Sequence, residues 1–388
     1  MSDTTATAAE VLAGKASPKP VAATVAAVHT ALVSLPAHPD LIVHGARGSH
    51  DHSDFCVVRV VTSEGVEGFG EVSATPLWSG EDGVSARHFI ETVLAPALVN
   101  RPLAPVAALE DLMDDRLAAN PFTKAGVATA LWDAYATSLD VPLAVALGGP
   151  LRTEVPIKLS LSGDGERLEQ VHAAAVKAGF AAFKVKVGLG VAGDLARVAL
   201  ARRLVGEQGF LGVDANGGWR RGEARGAVEA LRPYDIAFVE QPVERSDLEG
   251  MAALRDLGFP IVADESVFDL PDLRRLIGAD AADVVSVYVG KAGGPGRAVE
   301  LARVAHAFGL QSLLGSNGEL GLGAAAQVHA AAAMPGLTTD LPSDIIGAHY
   351  YAEDILAEPL PSDGRTVRLP PGPGLGVRLR DDVLARLH

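Results

Sequence analysis

The feature that most constrains the fold is a change of pattern after Gly148-Gly149-Pro150. From there, short runs rich in β-branched residues alternate with stretches of helical periodicity. The runs are Val155–Ser160, Ala182–Val187, Phe210–Val213, Ile236–Val239, Ile261–Ala263, Val284–Val289 and Gln311–Leu314. Such alternation indicates βαβ units and a parallel sheet. Seven or eight units over roughly 200 residues suit a closed (β/α) barrel, although an open doubly wound sheet fits the same pattern.

The N-terminal third has the pattern of a separate α+β unit. Phe55–Val61 and Val66–Val72 are β-rich runs joined by a Thr-Ser-Glu-Gly turn, which predicts a hairpin. Helical periodicity predicts helices over Ala86–Val99, Val106–Ala118 and Lys124–Leu139. The resulting division is a flexible tail (1–24), an N-terminal unit (25–150), a barrel (151–344) and a Pro- and Gly-rich return to the N-terminal unit (345–388).

Composition excludes several classes of partner. The formal charge is −15, which argues against a nucleic-acid partner because binding to phosphate backbones needs a basic surface. No apolar run approaches the ~20 residues that span a bilayer, and the first 20 residues lack the basic and apolar segments of a secretory signal. Cys56 is the single cysteine, so the chain forms no internal disulfide. These features favour a cytoplasmic protein without a membrane partner.

Three acids follow successive β runs. They are Asp214 in Val-Asp-Ala-Asn, Glu240 in Glu-Gln-Pro and Asp264 in Ala-Asp-Glu-Ser. Each lies about one strand–helix unit after the one before, and the carboxyl ends of barrel strands meet at one face. A single acid after a strand is usually a cap or turn residue, but three in phase with the repeat are hard to explain in that way. Converging carboxylates need a cation, and Mg²⁺ prefers oxygen ligands.

Two lysines lie about one unit upstream of these acids. Lys184 and Lys186 are two residues apart on one predicted strand and therefore share a face. Barrel strands are buried on both sides, so the two lysines are costly unless they pair with acids or serve a site. We expect their pKa to be depressed by each other and by a metal, which would let one act as a base.

Lys-x-Lys, Val-Asp-Ala-Asn, Glu-Gln-Pro and Ala-Asp-Glu-Ser, in this order and spacing, resemble the muconate-lactonising subgroup of the enolase superfamily. The resemblance extends over nearly the whole chain, including Asn120–Gly126, Gly315–Gly321 and Gly372–Gly376. It implies an α/β fold: a modified (β/α)₇β TIM-type barrel under an α+β capping domain built from the N-terminal third and the C-terminal tail. It also implies a homo-oligomer and a small carboxylate substrate.

The resemblance also implies roles for individual residues. Asp214, Glu240 and Asp264 become ligands of Mg²⁺, with Mn²⁺ as an alternative. Lys186 becomes the acid/base, Lys184 its electrostatic partner, and Glu319 an acid on the far side of the site. Substrate contacts are expected from Ser160, Arg47, Asn216, Ser316 and Asn317.

The sequence departs from the family pattern at the end of the sixth strand. Family members normally carry a lysine there, but residue 288 is tyrosine. Lys291 matches a basic position three residues later, so we expect it on the following loop. A tyrosine with an ordinary pKa of about 10 is a poor base but a good hydrogen-bond donor. The alternative is that Tyr288 is only a packing residue.

The expected reaction moves the proton next to a carboxylate through an enediolate, with one base, as in muconate cycloisomerase. A dehydratase or a racemase/epimerase of a small carboxylic or amino acid derivative is the alternative within the superfamily. Gly188–Gly193 reads G-x-G-x-x-G, so an NAD-dependent oxidoreductase is an alternative of another class, as is a non-catalytic carboxylate-binding barrel.

Two further segments carry weaker signals. The glycine-rich run Gly315–Gly323 lacks a basic residue, so close backbone approach to a substrate is favoured over a phosphate site. His44, His50 and His52 lie with Arg47 in a polar segment that fits a substrate-contacting lid, a solvated loop or a second metal site.

Overall fold

The computed structural model describes residues 22–38, 41, 43–46, 48–50 and 52–387. Its N-terminal domain is built on an antiparallel sheet in the order β1 (Val25–Pro36), β4 (His52–Thr62) and β5 (Glu67–Ser73). A small hairpin, β2 (Val43–Gly45) and β3 (Gly48–His50), lies between β1 and β4 in the chain. The predicted hairpin of the N-terminal unit is therefore confirmed as β4 and β5, while β1 was not anticipated.

The second sheet has seven parallel strands in sequence order. They are β7 (Leu159–Leu161), β8 (Ala182–Lys186), β9 (Phe210–Asp214), β10 (Val239–Glu240), β11 (Ile261–Ala263), β12 (Val284–Val287) and β13 (Gln311–Leu314). Nearly every strand residue is buried, which explains the apolar runs of the sequence. The parallel (β/α) prediction is confirmed.

Residues 337–344 take the place of an eighth strand between β13 and the first barrel strand. Ser312 is bridged to Leu337, and Ile157 is bridged to Ser343, both in parallel. The expected run Val155–Ser160 was wrong as a single strand. Its first half is β6 (Glu154–Pro156), which pairs with β14 (Thr366–Arg368) of the C-terminal return.

Helices separate the barrel strands and cover the N-terminal sheet. The longer ones are Gly83–Phe89, Val106–Arg116, Pro121–Ser138, Glu166–Lys177, Val191–Val205, Arg221–Glu229, Leu270–Gly278, Pro295–Ala307 and Gly321–Ala333. The short ones are Pro76–Ser79, Ala95–Leu98, Leu143–Ala146, Leu248–Ala252, Val289–Ala292 and Asp381–Leu384, with a π-helical turn at Ile90–Leu94 and 3₁₀ turns at Arg232–Tyr234, Arg255–Leu257 and Gly347–Tyr350. The expected helix Ala86–Val99 is confirmed as one helical stretch that contains this π turn and ends at Leu98. None of the helices among the described residues has the length and apolarity to cross a membrane.

Candidate active site

The three acids lie at the carboxyl ends of neighbouring strands. Asp214 ends β9 and pairs in register with Glu240 of β10, while Asp264 directly follows β11. All three carboxylates are almost fully buried. Phe238 and Val262 lie two residues before Glu240 and Asp264, on the same strand face, and belong to the apolar cluster inside the barrel. The acids therefore stand at the top of the barrel interior, as the sequence predicted.

The two lysines of β8 bind these acids directly. The Nζ of Lys184 lies 3.2 Å from the Oδ2 of Asp214 and 3.0 Å from the Oε2 of Glu240. The Nζ of Lys186 donates to the Oδ2 of Asp214 at 2.7 Å and to the Oδ1 of Asn216 at 2.9 Å. Buried ammonium groups need such partners, since an unpaired buried charge is costly.

The protein groups around the two lysines raise their pKa values, so the expected depression by the neighbouring ammonium group is wrong, while the expected effect of a metal stays a prediction. Burial lowers the pKa of Lys186, and Lys184 lowers it further, but the charge and hydrogen bond of Asp214 together with the charge of Glu240 more than offset both, so this pKa is raised. Burial also lowers the pKa of Lys184, while Asp344, Glu240 and Asp214 raise it well above its ordinary value. The acids outweigh the neighbouring ammonium group because each lysine is surrounded by more than one carboxylate.

The carboxylates of Asp214, Glu240 and Asp264 are the kind of ligand that a hard divalent cation prefers, although they are not drawn together as a closed ligand set. Within the described part of the chain, no three acidic, histidine or cysteine side chains are gathered closely enough to hold a metal ion. The Oε1 atom of Glu240 is nevertheless buried without a hydrogen-bond partner, and its neighbours Asp214 and Asp264 supply only oxygen atoms. Burial raises the pKa of Glu240 to about 8, with Asp214 and Asp264 adding to the rise and Lys184 opposing it. An orphaned buried carboxylate oxygen among further acids fits Mg²⁺ or Mn²⁺, and the ligand assignment stays a prediction.

Tyr288 follows β12 and reaches the same acids. Its hydroxyl donates to the Oδ2 of Asp264 at 2.9 Å, and burial followed by the charge of Asp264 raises its pKa well above the ordinary value. Gly315 makes room for the ring, because a Cβ there would overlap both Tyr288 and Ser286. The sequence analysis expected the glycine-rich run Gly315–Gly323 to approach a substrate closely. At Gly315 the group that lies against the backbone is the Tyr288 ring.

Lys291 lies in the short helix Val289–Ala292 and not on an open loop. Its Nζ donates at 2.7 Å to both the Oδ1 and the backbone oxygen of Asp264, and at 2.8 Å to the backbone oxygen of Ser286. The ammonium also lies 4.2 Å from the centroid of the Tyr288 ring and is 2% exposed. With its donors committed to Asp264 and Ser286, Lys291 holds a predicted metal ligand and does not line the cavity.

A cavity opens above the acids, between the barrel and the N-terminal domain. Its polar lining includes Lys186, Tyr288, Ser160, Asn216, Ser316, Asn317, Thr75 and Asp344. Its apolar and aromatic lining includes Leu41, Leu77, Trp78, Ile346, Tyr350 and Tyr351. Four of the five expected substrate contacts therefore line one cavity together with the expected base. Arg47, the fifth, lies outside the described residues, as do the side chains of His44 and His50.

Glu319 lies behind this lining. Its carboxylate accepts a hydrogen bond from the Ser316 hydroxyl at 2.5 Å and one from the Asn317 backbone at 3.2 Å. It lines a separate small cavity that also contains Glu71. Any effect of Glu319 on a bound molecule would thus pass through Ser316 and Asn317.

Sequence reasoning missed two charged residues of the site. Asp344, in the segment that closes the barrel, accepts from Lys158 at 2.9 Å and from Lys184 at 3.3 Å. Lys158 is fully buried, and its Nζ lies 5.5 Å from the Phe238 ring centroid. The signal was available, since Lys158 interrupts an apolar barrel run just as Lys184 does. Trp78 also enters the site by stacking on Tyr288, with ring centroids 5.4 Å apart.

These features define a (β/α)-barrel enzyme whose acids and lysines converge at the strand ends beneath a capping domain. The enolase C-terminal domain-like family matches residues 166–383, and the mandelate racemase/muconate lactonizing enzyme N-terminal domain matches residues 15–148. The chain therefore belongs to the enolase superfamily, in the muconate-lactonising subgroup.

Individual relatives cover almost the whole chain. An N-succinyl-L-Arg/Lys racemase of Bacillus cereus is 30% identical over 94% of this chain and 97% of its own. Muconate cycloisomerase 1 of Rhodococcus opacus is 33% identical over 84% of this chain and 89% of its own. The solved structure of a Pseudomonas fluorescens muconate lactonizing enzyme with muconolactone has a TM-score of 0.87 at 28% identity, covering 94% and 99% of the two chains. The relatives thus include both cycloisomerases and racemases.

Proposed function

We propose that this enzyme moves the proton on the carbon next to a substrate carboxylate with a single acid/base, Lys186, as in a cycloisomerase. The observation that carries the proposal is the pair of groups facing the cavity above the acids. Lys186 lines it with its ammonium group, while the position where the family normally has a second lysine is taken by Tyr288. A racemase normally needs a base on each face of the carbanion.

The hydrogen bonding of Tyr288 supports this division of roles. Its hydroxyl proton is already donated to the Oδ2 of Asp264, so the phenol is not arranged to accept a proton from a substrate. Lys291 does not serve as a second base either, because its Nζ donates to Asp264 and Ser286 beneath the Tyr288 ring. Among the described residues that line the cavity, Lys186 is the one cationic side chain.

The remaining residues would bind and orient the substrate. Asp214, Glu240 and Asp264 would hold a divalent cation, which supplies charge stabilisation for an enediolate when bound. Lys184 balances the charge of the acids without reaching the cavity. Ser160, Asn216, Ser316 and Asn317 offer neutral hydrogen-bonding groups, and the apolar wall with Trp78 excludes water from the reacting carbon.

Deuterium exchange with a compound from each of two relatives tests the proposal. The protein with Mg²⁺ is incubated in heavy water with muconolactone and, separately, with N-succinyl-L-arginine. Muconolactone carries two hydrogens next to its carboxylate, so a single base should exchange only one of them. N-succinyl-L-arginine should either take up deuterium with the L configuration kept or not react. NMR spectroscopy and chiral chromatography read both outcomes.

Variants test the role proposed for each residue. Lys186→Ala should lower the exchange rate by roughly 10²–10⁴-fold, whereas Tyr288→Phe should keep exchange on the same face. A chelator should abolish exchange, and added Mg²⁺ should restore it. Formation of N-succinyl-D-arginine by the wild type, or an unchanged rate in Lys186→Ala, would contradict the one-base proposal.

A further inference from the structure

Asp194, near the start of the helix Val191–Val205, lies beneath the turn that follows Lys186. Its carboxylate accepts hydrogen bonds from three successive backbone N–H groups, those of Gly188 at 3.0 Å, Leu189 at 3.1 Å and Gly190 at 3.3 Å. Asp194 is 1% exposed. Gly188, Leu189 and Gly190 form the first half of the G-x-G-x-x-G sequence. The run that resembles a dinucleotide fingerprint therefore binds a carboxylate of its own chain.

The same carboxylate also holds the turn that follows Asp214. The indole N–H of Trp219 donates to the Oδ2 of Asp194 at 2.8 Å. The two turns touch through their backbones, because a Cβ on Gly188 would overlap the backbone oxygen of Ala215 and one on Gly218 would overlap that of Gly188. This second turn carries Asn216, whose Oδ1 receives the ammonium of Lys186.

Arg197, one turn further along the helix, completes the connection. Its Nη1 donates to the backbone oxygen of Lys186 at 3.1 Å and to the Oδ1 of Asp194 at 2.9 Å. Its Nε donates to Asp164, in the loop after β7, at 2.9 Å. One buried guanidinium therefore fixes the end of the strand that carries Lys186, and the partner acid Asp194 fixes the two adjoining turns.

We propose that Asp194 and Arg197 are positioning residues for Lys186, a role that rests on the proposed function of Lys186 as the acid/base. We call Asp194, Arg197 and the Trp219 indole the loop clasp. It contacts neither the cavity nor the acids at the strand ends. Its effect is to set where the Lys186 ammonium and its acceptor Asn216 stand relative to the substrate carbon. A displacement of about 1 Å at such a group can cost up to about 10²-fold in rate.

The test compares two arginines on the same helix. Arg202 lies at the other end of Val191–Val205. Its guanidinium donates to the backbone oxygens of Gly206, Gly209, Tyr234 and Asp235 and makes no contact with the Lys186 turn. Arg197→Gln and Asp194→Asn should lower kcat of deuterium exchange about tenfold or more, with KM within about threefold. Arg202→Gln should leave both within about twofold. Arg197→Lys keeps the charge but not the planar guanidinium, so its kcat should lie between those of the wild type and Arg197→Gln.

The outcomes separate the clasp from the proposed function. If the wild type exchanges muconolactone or N-succinyl-L-arginine but the clasp variants match the wild type or Arg202→Gln, the positioning role is overturned. If the wild type exchanges neither, the one-base function fails. Amide hydrogen exchange of the ligand-free protein then tests whether the loop clasp holds the two turns. Asp194→Asn should speed exchange at residues 188–190 and 215–219, and unchanged protection of both segments would overturn it.

Discussion

Among single residues, Gly315 shows how one missing side chain shapes the site. The ring of Tyr288 occupies the space that a Cβ at Gly315 would need. Tyr288 in turn stacks on Trp78 and donates to Asp264, so the absence of a side chain on one strand end sets the position of an aromatic ring on the next. The position of the Tyr288 ring therefore depends on the absence of a side chain at Gly315.

Gly315→Ala should therefore destabilise the protein and disturb the site. Overpacking of a rigid interior typically costs about 1–3 kcal/mol, and we expect a loss of that size in the free energy of unfolding, together with slower deuterium exchange as the Tyr288 ring moves. Urea denaturation measures the first effect. Gly222→Ala is the matched control, since its helical Cβ would meet nothing within 4 Å and should stabilise by roughly 0.5–1 kcal/mol. Equal stability changes in both variants would contradict the steric explanation.

Among the elements, the irregular segment that closes the barrel contributes an acid that pairs with two buried lysines. Residues 337–344 connect β13 to the first barrel strand by isolated bridges. Asp344 then joins Lys158, the residue before β7, to Lys184 of β8 through one carboxylate oxygen. Burial raises the pKa of Asp344, but Lys158 and Lys184 lower it more, so the acid stays ionised between two ammonium groups.

The two partners of this ion pair should not be equally important for stability. Asp344→Asn leaves Lys158 buried without a carboxylate, and breaking a buried pair in this way costs about 3–5 kcal/mol. Lys158→Met should cost clearly less, because Asp344 keeps Lys184 as a partner and the methionine fills similar volume against Phe238. Urea denaturation of the two variants and of the double variant gives the comparison. A larger loss for Lys158→Met would rule out this account.

How far the sequence predicts these elements depends on whether a local pattern encodes them. The strand ends with Asp214, Glu240 and Asp264 follow from the βα repeat, and Lys184 and Lys186 follow from the period of a strand. Asp344 does not, because its segment is held by isolated bridges and has no strand pattern. The mutual depression of the lysine pKa values was wrongly expected because the sequence shows two adjacent cations but not the acids that surround them. Strand β1 was missed because it pairs with β4 across an intervening segment.

At the scale of the whole molecule, buried acids join the capping domain to the rest of the chain. Glu71 of β5 accepts from the backbone N–H groups of Leu320 and Gly323, beside β13, at 2.7 and 2.9 Å. Asp133 accepts from Phe69 at 2.8 Å and from Leu375, in the C-terminal return, at 2.7 Å. The single polypeptide therefore builds its cap from both ends of the sequence, as the resemblance implied. We expect cap and barrel to unfold together rather than as separate domains.

A third acid at this junction should make the stability of the molecule depend on pH. Glu110 is 4% exposed, accepts from the Trp132 indole at 2.9 Å and lies against Gly294 of the barrel. Burial raises the pKa of Glu110 to about 7, although Trp132 and Arg297 oppose the rise. In the unfolded chain the pKa of a glutamate is about 4.3. The folded protein thus holds this proton more tightly, so its contribution to stability is complete below about pH 4.3 and is lost as pH rises through about 7.

The Glu110→Gln variant isolates this contribution. Each pKa unit corresponds to about 1.4 kcal/mol, so the wild type should lose on the order of 3 kcal/mol from this group between pH 5 and pH 8. Glutamine keeps an acceptor for the Trp132 indole and does not ionise, so the variant should lose less over the same range by about that amount. Urea denaturation at both pH values, followed by tryptophan fluorescence, measures the difference. Asp115→Asn, at an exposed acid of the same helix, should leave the pH dependence of the wild type unchanged. If Glu110→Gln loses as much stability as the wild type, Glu110 is ionised in the folded protein at both pH values and the junction is held by a charged carboxylate.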